Sequence, residues 1–253
     1  LPGFTLIFTY FNFNDMALKP WQKGTVIRIE QETADTRRFW IQTEGDRFDF
    51  EPGQFVTFDL PIHDRPNKRM RSYSIASWPD GSNVFELIIV LDKDGLGTNY
   101  LFNEVIPGTE LTFRGPMGVF TLKTPVEKDL FLICTGTGIA PFRSMVHHIR
   151  EQKMETGNIY LVFGCRTKAD LLYYDELSML QKEMPHFHYL PTLSREQWDG
   201  PTGYVHQLYS IYCEKKQPAQ FYLCGWKGMI DEARKTLLEI GYGTHDIHVE
   251  IYG

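Results

Sequence analysis

Between residue 24 and about residue 116 the chain follows a strand period, and beyond about residue 129 short apolar runs alternate with helical stretches. One sheet cannot serve both patterns. The first region divides into GTVIRIEQE, RRFWIQT, QFVTFDL, RMRSYSIAS, VFELIIVLD and ELTFRGP, all rich in β-branched and aromatic residues. Turn formers such as EPGQ, PDGS and IPGT separate them. Six such segments predict a small antiparallel barrel or sandwich; TNYLFNEV is the one brief helical interruption. In the second region LFLICTG, NIYLVFG, HYLPTLS, FYLCG and IHVEIYG read as strands. The helical stretches between them are PFRSMVHHIR, YYDELSMLQKEM, YVHQLYSIYC and KGMIDEARKTLLEIG. Phe142, Met145, Val146 and Ile149 share one helix face. This alternation predicts a parallel α/β sheet. The boundary falls near Thr124–Asp129. It gives an extension over residues 1–16, a barrel domain over 17–123 and an α/β domain over 124–253.

Composition narrows the function. A net charge of −6 argues against a nucleic-acid binder. The four cysteines form no C-x-x-C pair, so zinc ribbons, thioredoxin-type motifs and clustered iron–sulfur ligands are unsupported. Dispersed thiols fit a reducing cytoplasm. The opening LPGFTLIFTYFNFND is apolar but too short to span a bilayer, and it lacks the flanks of a signal peptide. It is expected to pack as an extended segment, with Met16 opening a more ordinary run. No integral membrane segment is expected. His186 and His188 share a strand face without a third ligand, so no metal is expected. His147 and His148 point to different helix faces and read as surface residues.

Five short stretches could carry chemistry. TGTGIAPF lies between a strand and a helix, where Gly136 and Gly138 would let backbone approach a pyrophosphate at the helix N-terminus. Its G-x-G-x-x-P spacing departs from the ordinary dinucleotide fingerprint, and a plain glycine-rich turn is the alternative. RMRSYSIAS places an Arg, a Tyr and serines close together, as a cofactor strand or an ordinary half-exposed one. GLGTNYL offers Gly95, Gly97 and Thr98 before a short helix, as a second cradle or a simple turn. LSREQ sets Ser194 and Arg195 at a strand end, where open α/β sheets bind ligands and Arg suits phosphate. YLCGWKGM puts Cys224 and Gly225 at another strand end, where a lone Cys is commonly just a small buried residue.

Taken in order, Arg71-Ser72-Tyr73-Ser74, Gly95-Leu96-Gly97-Thr98, Thr135 to Phe142, Cys224-Gly225 and Val249-Glu250-Ile251-Tyr252 resemble the ferredoxin–NADP⁺ reductase family. TGTGIAPFRS, SREQ, CGWKGM and VEIY look especially like its plant-type branch. The resemblance spans residues from about 20 to 253. It implies a six-stranded antiparallel Greek-key barrel for FAD and a five-stranded parallel α/β domain for NADP(H), with NAD(H) as the other candidate. It implies Arg71 on the FAD pyrophosphate, Tyr73 against the flavin and Ser74 near its reactive nitrogen, with Ser72, Gly97 and Thr98 completing the phosphate side. Ile89 and Val90 match the strand lining that cofactor, although the family often has Lys or Arg where Val90 stands. Gly136, Thr137, Gly138, Arg166, Ser194, Arg195, Tyr204 and Gly225 fall to the nicotinamide dinucleotide. Ser74, Cys224, Glu250 and Tyr252 are the implied catalytic group, Tyr252 stacking on the flavin.

The implied activity is electron transfer between NADP(H) and a small acidic one-electron carrier, a ferredoxin or flavodoxin. The rivals are an NADH-dependent reductase component of an oxygenase and a flavin-binding regulatory module without turnover. Thr202 stands where the plant-type branch usually has Lys, which leans toward the oxygenase reading. Ser194 and Arg195 lean toward NADPH. Arg65, Lys68 and Arg69 would dock the carrier.

Overall fold

The computed structural model describes residues 19–252, so the extension expected over residues 1–16 lies outside the described residues. The six predicted strands form β1 (Gln22–Thr33), β2 (Thr36–Thr43), β3 (Phe55–Asp59), β4 (Met70–Ser74), β5 (Val84–Val90) and β6 (Glu110–Met117). They make one antiparallel sheet in the order β4-β3-β6-β1-β2-β5. The strand period turns Phe39, Ile41, Val56, Phe58, Phe85, Leu87 and Phe113 inward, each at most 1% exposed. Helix α1 (Leu96–Asn103) adds Leu101 and Phe102 to that core. The two ends of the sheet meet just past β4, where Ile75 bridges Leu87 and the Ala76 N–H donates to the Glu86 carbonyl at 2.8 Å.

The second region forms β7 (Asp129–Thr135), β8 (Ile159–Cys165), β9 (Phe187–Leu193), β10 (Ala219–Trp226) and β11 (Ile247–Tyr252). They are parallel, in the order β11-β10-β7-β8-β9. The chain winds from β7 toward β9 and then returns to β10, so the order reverses beside β7. Helices α2 (Ala140–Glu151), α3 (Tyr174–Glu183), α4 (Val205–Tyr212) and α5 (Lys227–Ile240) connect the strands. Phe142, Met145, Val146 and Ile149 of α2 are all buried, as their spacing predicts.

Two apolar clusters flank this sheet. One holds Phe131, Ile133, Val162 and Leu223 with residues of α4 and α5. The other joins Leu132, Cys134, Phe163 and Tyr222 to Ala76, Ile88 and Phe120 of the barrel, so the domains share a core. This shared core overturns the surface reading of His147. Helix α2 packs the sheet on one side and the barrel on the other, leaving His147 only 3% exposed with its ring stacked on Trp78 at 4.0 Å and 11°. Among the described residues no helix is long and apolar enough to cross a membrane.

Candidate cofactor crevice

The carboxyl ends of the parallel strands open on a cavity of about 530 Å³. It lies beside the reversal of strand order, where open α/β sheets bind ligands. Val90, Gly136, Thr137, Arg166, Ser194 and Tyr204 line it, six of the residues singled out from sequence. The β1–β2 turn closes it from the barrel side with Thr33, Asp35 and Thr36.

The TGTG stretch leaves β7 through a 3₁₀ turn, Gly136–Ile139, that runs straight into α2. No side chain caps this turn, so its first amides are available to an anion. Pro141 sits in the first turn of α2, where a missing N–H costs nothing. Gly138 rests on β10: a Cβ there would lie 2.5 Å from the Cys224 carbonyl oxygen, so only glycine permits the approach.

Around the loop, the Arg166 guanidinium is shared between Asp35 of the barrel, at 3.5 Å, and Asp170, at 3.3 Å. The Ser194 hydroxyl donates to the Cys165 carbonyl at 3.2 Å. The Arg195 N–H donates to the Arg166 carbonyl at 2.9 Å, while its side chain is exposed beyond the cavity wall. The Tyr204 ring is 64% exposed and lies nearly parallel to His206, offering a flat face. Gly225, at φ 147°, follows Cys224 at the end of β10.

On the barrel side, Arg71 projects from β4 across Gly97 in the first turn of α1. A Cβ on Gly97 would fall 2.8 Å from the Arg71 Cγ and 2.9 Å from its Nε, so the missing side chain makes room for the guanidinium. Arg71 Nη1 donates to the carbonyls of Lys68 (3.1 Å) and Met70 (2.8 Å), which pins the head in place. The N-cap of α1, Gly95, contributes no side-chain cap. A fixed cation beside uncapped helix amides fits the pyrophosphate of FAD. Thr98 serves the loop itself: its hydroxyl donates to the Asp92 carbonyl at 2.9 Å. The Ser72 hydroxyl pairs with that of Thr57 at 2.9 Å. Tyr73 packs on Phe58, and burial, opposed by Arg71, pushes its hydroxyl up to about 12. Ile89 points into the barrel core, whereas Val90 is exposed toward the cavity.

The two domains meet chemically at β4 and β11. The Ser74 hydroxyl donates to Glu250 Oε2 at 3.1 Å, across 176 positions of sequence. Cys224 Sγ lies 4.0 Å from the same oxygen, because Cys224 and Glu250 are register partners in the β10–β11 ladder. Burial raises the Glu250 carboxyl to about 7, opposed only by the Ser74 hydrogen bond. Burial, reinforced by Glu250, likewise drives the Cys224 thiol well above its ordinary value. The Tyr252 ring packs against the shared core, and its buried hydroxyl has no partner in hydrogen-bonding geometry. The end of the final strand turns its aliphatic side chains outward. Val249 and Ile251 face outward at 42% and 52% exposure, while Glu250 and Tyr252 face in.

Asp35, His206, Trp226 and Glu232 also line the cavity and were not singled out from sequence. Asp35 sits in a hairpin turn of the other domain, where only the fold brings it near. His206 and Glu232 come together across α4 and α5 at 3.4 Å. Trp226 did carry a signal, as the residue that follows Cys224-Gly225.

Comparison with known proteins agrees with this arrangement. Residues 23–122 match the oxidoreductase FAD-binding domain and residues 132–235 the oxidoreductase NAD-binding domain. The chain is 35% identical over 217 residues to the anthranilate 1,2-dioxygenase electron transfer component of Acinetobacter baylyi, covering 85% of this chain and 61% of that protein. It thus spans about three fifths of that relative's length. It is 34% identical over 220 residues to ferredoxin–NADP reductase B of Sorangium cellulosum, covering 83% of this chain and 88% of that protein. The solved ferredoxin NADP⁺ reductase from Neisseria gonorrhoeae, with bound FAD and NADP, superposes with a TM-score of 0.74 at 25% identity, over 91% of this chain and 98% of that one. With both domain matches in order and the relative from Sorangium cellulosum covered nearly end to end, the chain belongs to the ferredoxin–NADP reductase family of FAD- and NAD-binding oxidoreductases.

Proposed function

We propose that the chain moves electrons between a nicotinamide dinucleotide and a one-electron protein carrier, with FAD held on the barrel. The observation that carries this reading is the Ser74–Glu250 hydrogen bond of 3.1 Å, with Cys224 Sγ 4.0 Å from the same carboxylate oxygen. Each of the two domains has an uncapped helix N-terminus suited to phosphate, and the Ser74–Glu250 bond joins them where β4 meets β11.

Bound FAD would supply the redox chemistry, taking a hydride (two electrons and a proton) from the reduced nicotinamide, which leaves oxidised, and passing electrons on singly. The chain's own residues supply the geometry. Arg71 and the first turn of α1 would hold the FAD pyrophosphate, and Tyr73 and Ser74 its ring. Thr137 and the amides of its turn would hold the dinucleotide phosphates, with Arg166 as the cation that leaves Asp35 and Asp170 for them. Tyr204 offers a face to the adenine. Glu250, whose carboxyl burial raises to about 7, would hold or release a proton at Oε2 beside a bound ring, and Cys224 would pack that ring. Tyr252, seated against the shared core, would shield the Ser74–Glu250 pair from water.

The partner is a one-electron protein carrier, a ferredoxin, a flavodoxin or the terminal component of an oxygenase. The relative from Acinetobacter baylyi supports the last of these, and Ser194 and Arg195 support NADPH. Anaerobic mixing of the FAD-loaded protein with NADPH or with NADH, followed by absorbance of the flavin, tests the reading. Rapid bleaching is expected with at least one nucleotide, faster with NADPH, and no bleaching with either defeats the proposal.

A further inference from the structure

The seam between the domains holds a network of charges that the proposed chemistry does not use. Arg143 of α2 and Glu86 of β5 are each only 3% exposed. Arg143 Nη1 crosses to the barrel, donating to Glu86 Oε2 at 3.1 Å and to the Ala76 carbonyl at 2.9 Å. Its Nε and Nη2 grip both oxygens of Glu176 in α3, at 2.7 and 2.9 Å. Glu86 Oε1 also accepts from Arg38 Nε at 2.7 Å and from the Tyr173 hydroxyl at 2.8 Å. His147 Nε2 meets Glu176 Oε1 at 2.6 Å while its ring stacks on Trp78 of the barrel. The Arg143 guanidinium lies over the rings of Tyr173, at 4.3 Å, and Trp78, at 5.3 Å. Burial works against ionising Glu176, yet hydrogen bonds from His147 and Arg143 bring it down to about 2. Glu176 is therefore held ionised by Arg143, while burial pushes the His147 imidazole beside it below its ordinary value.

Apolar residues of similar volume would hold such a seam at least as firmly, since replacing a buried ion pair by them is often neutral or stabilising. They would not give it direction. Apolar contact is non-directional and tolerates sliding, whereas a two-pronged arginine–carboxylate pair fixes an angle.

The arms of the network lead into the crevice. Ala76 lies two residues beyond Ser74, Glu86 four residues before Val90 on the same strand, and Arg143 six residues after Thr137 on the helix that the TGTG turn opens. We propose that Glu86 and Arg143 are positioning residues whose pairing sets the angle between the two domains, and through it the distance over which hydride passes. This rests on the function proposed above. Neither side chain touches a group assigned to FAD or the dinucleotide, so loosening the pair spares binding and spoils alignment. A misplacement of about 1 Å costs on the order of 100-fold in rate.

Glu86→Gln and Arg143→Lys test the assignment. Lys keeps the charge but cannot bridge Glu86 and Glu176 together. Both variants are expected to retain FAD and to bind NADPH and NADH within about 2-fold of wild type, while single-turnover bleaching of the flavin slows by about 10- to 100-fold. If either variant fails to fold, Arg38→Lys loosens the same carboxylate from its half-exposed rim and slows bleaching in the same direction. Hydrogen exchange reads the seam without turnover: residues 75–78 and 140–151 should lose protection together in Glu86→Gln, with the strand interiors unchanged. Wild-type bleaching rates, slowing matched by an equal loss of nucleotide affinity or FAD, or an unaltered seam in hydrogen exchange would each overturn the positioning role. A wild-type protein that neither nucleotide bleaches, with the seam opening as expected, would instead overturn the function on which that role rests.

Discussion

Replacing Glu250 by Gln should leave two signatures of one buried carboxyl. Burial lifts that group from 4.5 to about 7. Each pH unit of displacement corresponds to about 1.4 kcal/mol, so the crevice prefers the neutral carboxyl by up to about 3 kcal/mol. Below about 4.5 both folded and unfolded chains are protonated at this position and no penalty exists. Between about 4.5 and about 7 the folded chain holds a proton that the unfolded chain has lost, so stability falls as pH rises, and above about 7 the loss is complete. Gln cannot ionise. The difference in unfolding free energy between Glu250→Gln and wild type should therefore grow in favour of the variant across this window, approaching about 3 kcal/mol. Urea titrations of flavin-free protein from about pH 5 to about pH 8 measure it. Turnover should show the converse. As hydride leaves, the nicotinamide ring becomes positive, and an ionised Glu250 stabilises that charge. Unit charges about 5 Å apart in an effective dielectric of about 20 attract by about 3 kcal/mol, so a half-developed charge gains about 1.5 kcal/mol, or about tenfold in rate. Flavin bleaching should speed up by about tenfold as pH crosses about 7 and stay flat in the variant. A stability difference independent of pH, or the same inflection in both proteins, would refute the reasoning.

The other expectations concern the cofactor arms. Gly138→Ala would press a methyl against the Cys224 carbonyl, so the turn must lift from β10; nucleotide affinity should fall at least about tenfold in titrations, with FAD retained. Arg195→Ala should weaken NADPH by roughly 10- to 150-fold and leave NADH nearly unchanged, as a lost charged hydrogen bond of about 1.5–3 kcal/mol requires; equal losses would show that Arg195 does not read the 2′-phosphate. Tyr252→Ser should tighten nicotinamide binding and perturb the flavin spectrum, and an unaltered spectrum with unaltered affinities would leave Tyr252 as core packing alone. Arg69 is held by Asp59 at 2.6 Å, which leaves Arg65 and Lys68 for the carrier. Carrier reduction should slow with ionic strength, and neutralising both should flatten that slope in kinetic titrations.

The two periods in the sequence were enough to read the architecture, because each strand and helix carries its own pattern of burial. VFELIIV and LFLICT are apolar whichever sheet they enter, and α2 declares its face through Phe142, Met145, Val146 and Ile149. The glycine turns were legible for the same local reason: an anion cradle at a helix N-terminus is built within a few residues. The pairing of Ser74 with Glu250 was not visible from spacing, since 176 positions separate them. The family's order of motifs implied that both belong to the site, and the fold put a distance on it. The closing of the cavity by Asp35 left no mark at all, because its hairpin is ordinary until the second domain packs beneath it.

The seam shows a signal of another kind, one of residues in the wrong place. Glu86 interrupts a strand whose Phe85, Leu87, Ile88 and Ile89 are all buried, and Arg143 stands beside Phe142 on a helix buried nearly all round. A charge at a position whose period demands an apolar side chain is a local contradiction, and natural chains keep such contradictions where they gain something besides stability. His147 was misread for lack of this step. Its helix has one face for the sheet, but the unexplained Arg143 four positions earlier says that a second face is covered as well. Two charges of opposite sign, each misplaced in its own domain, are the sequence trace of an interface between those domains, and their bond length of 3.1 Å is where that trace becomes geometry.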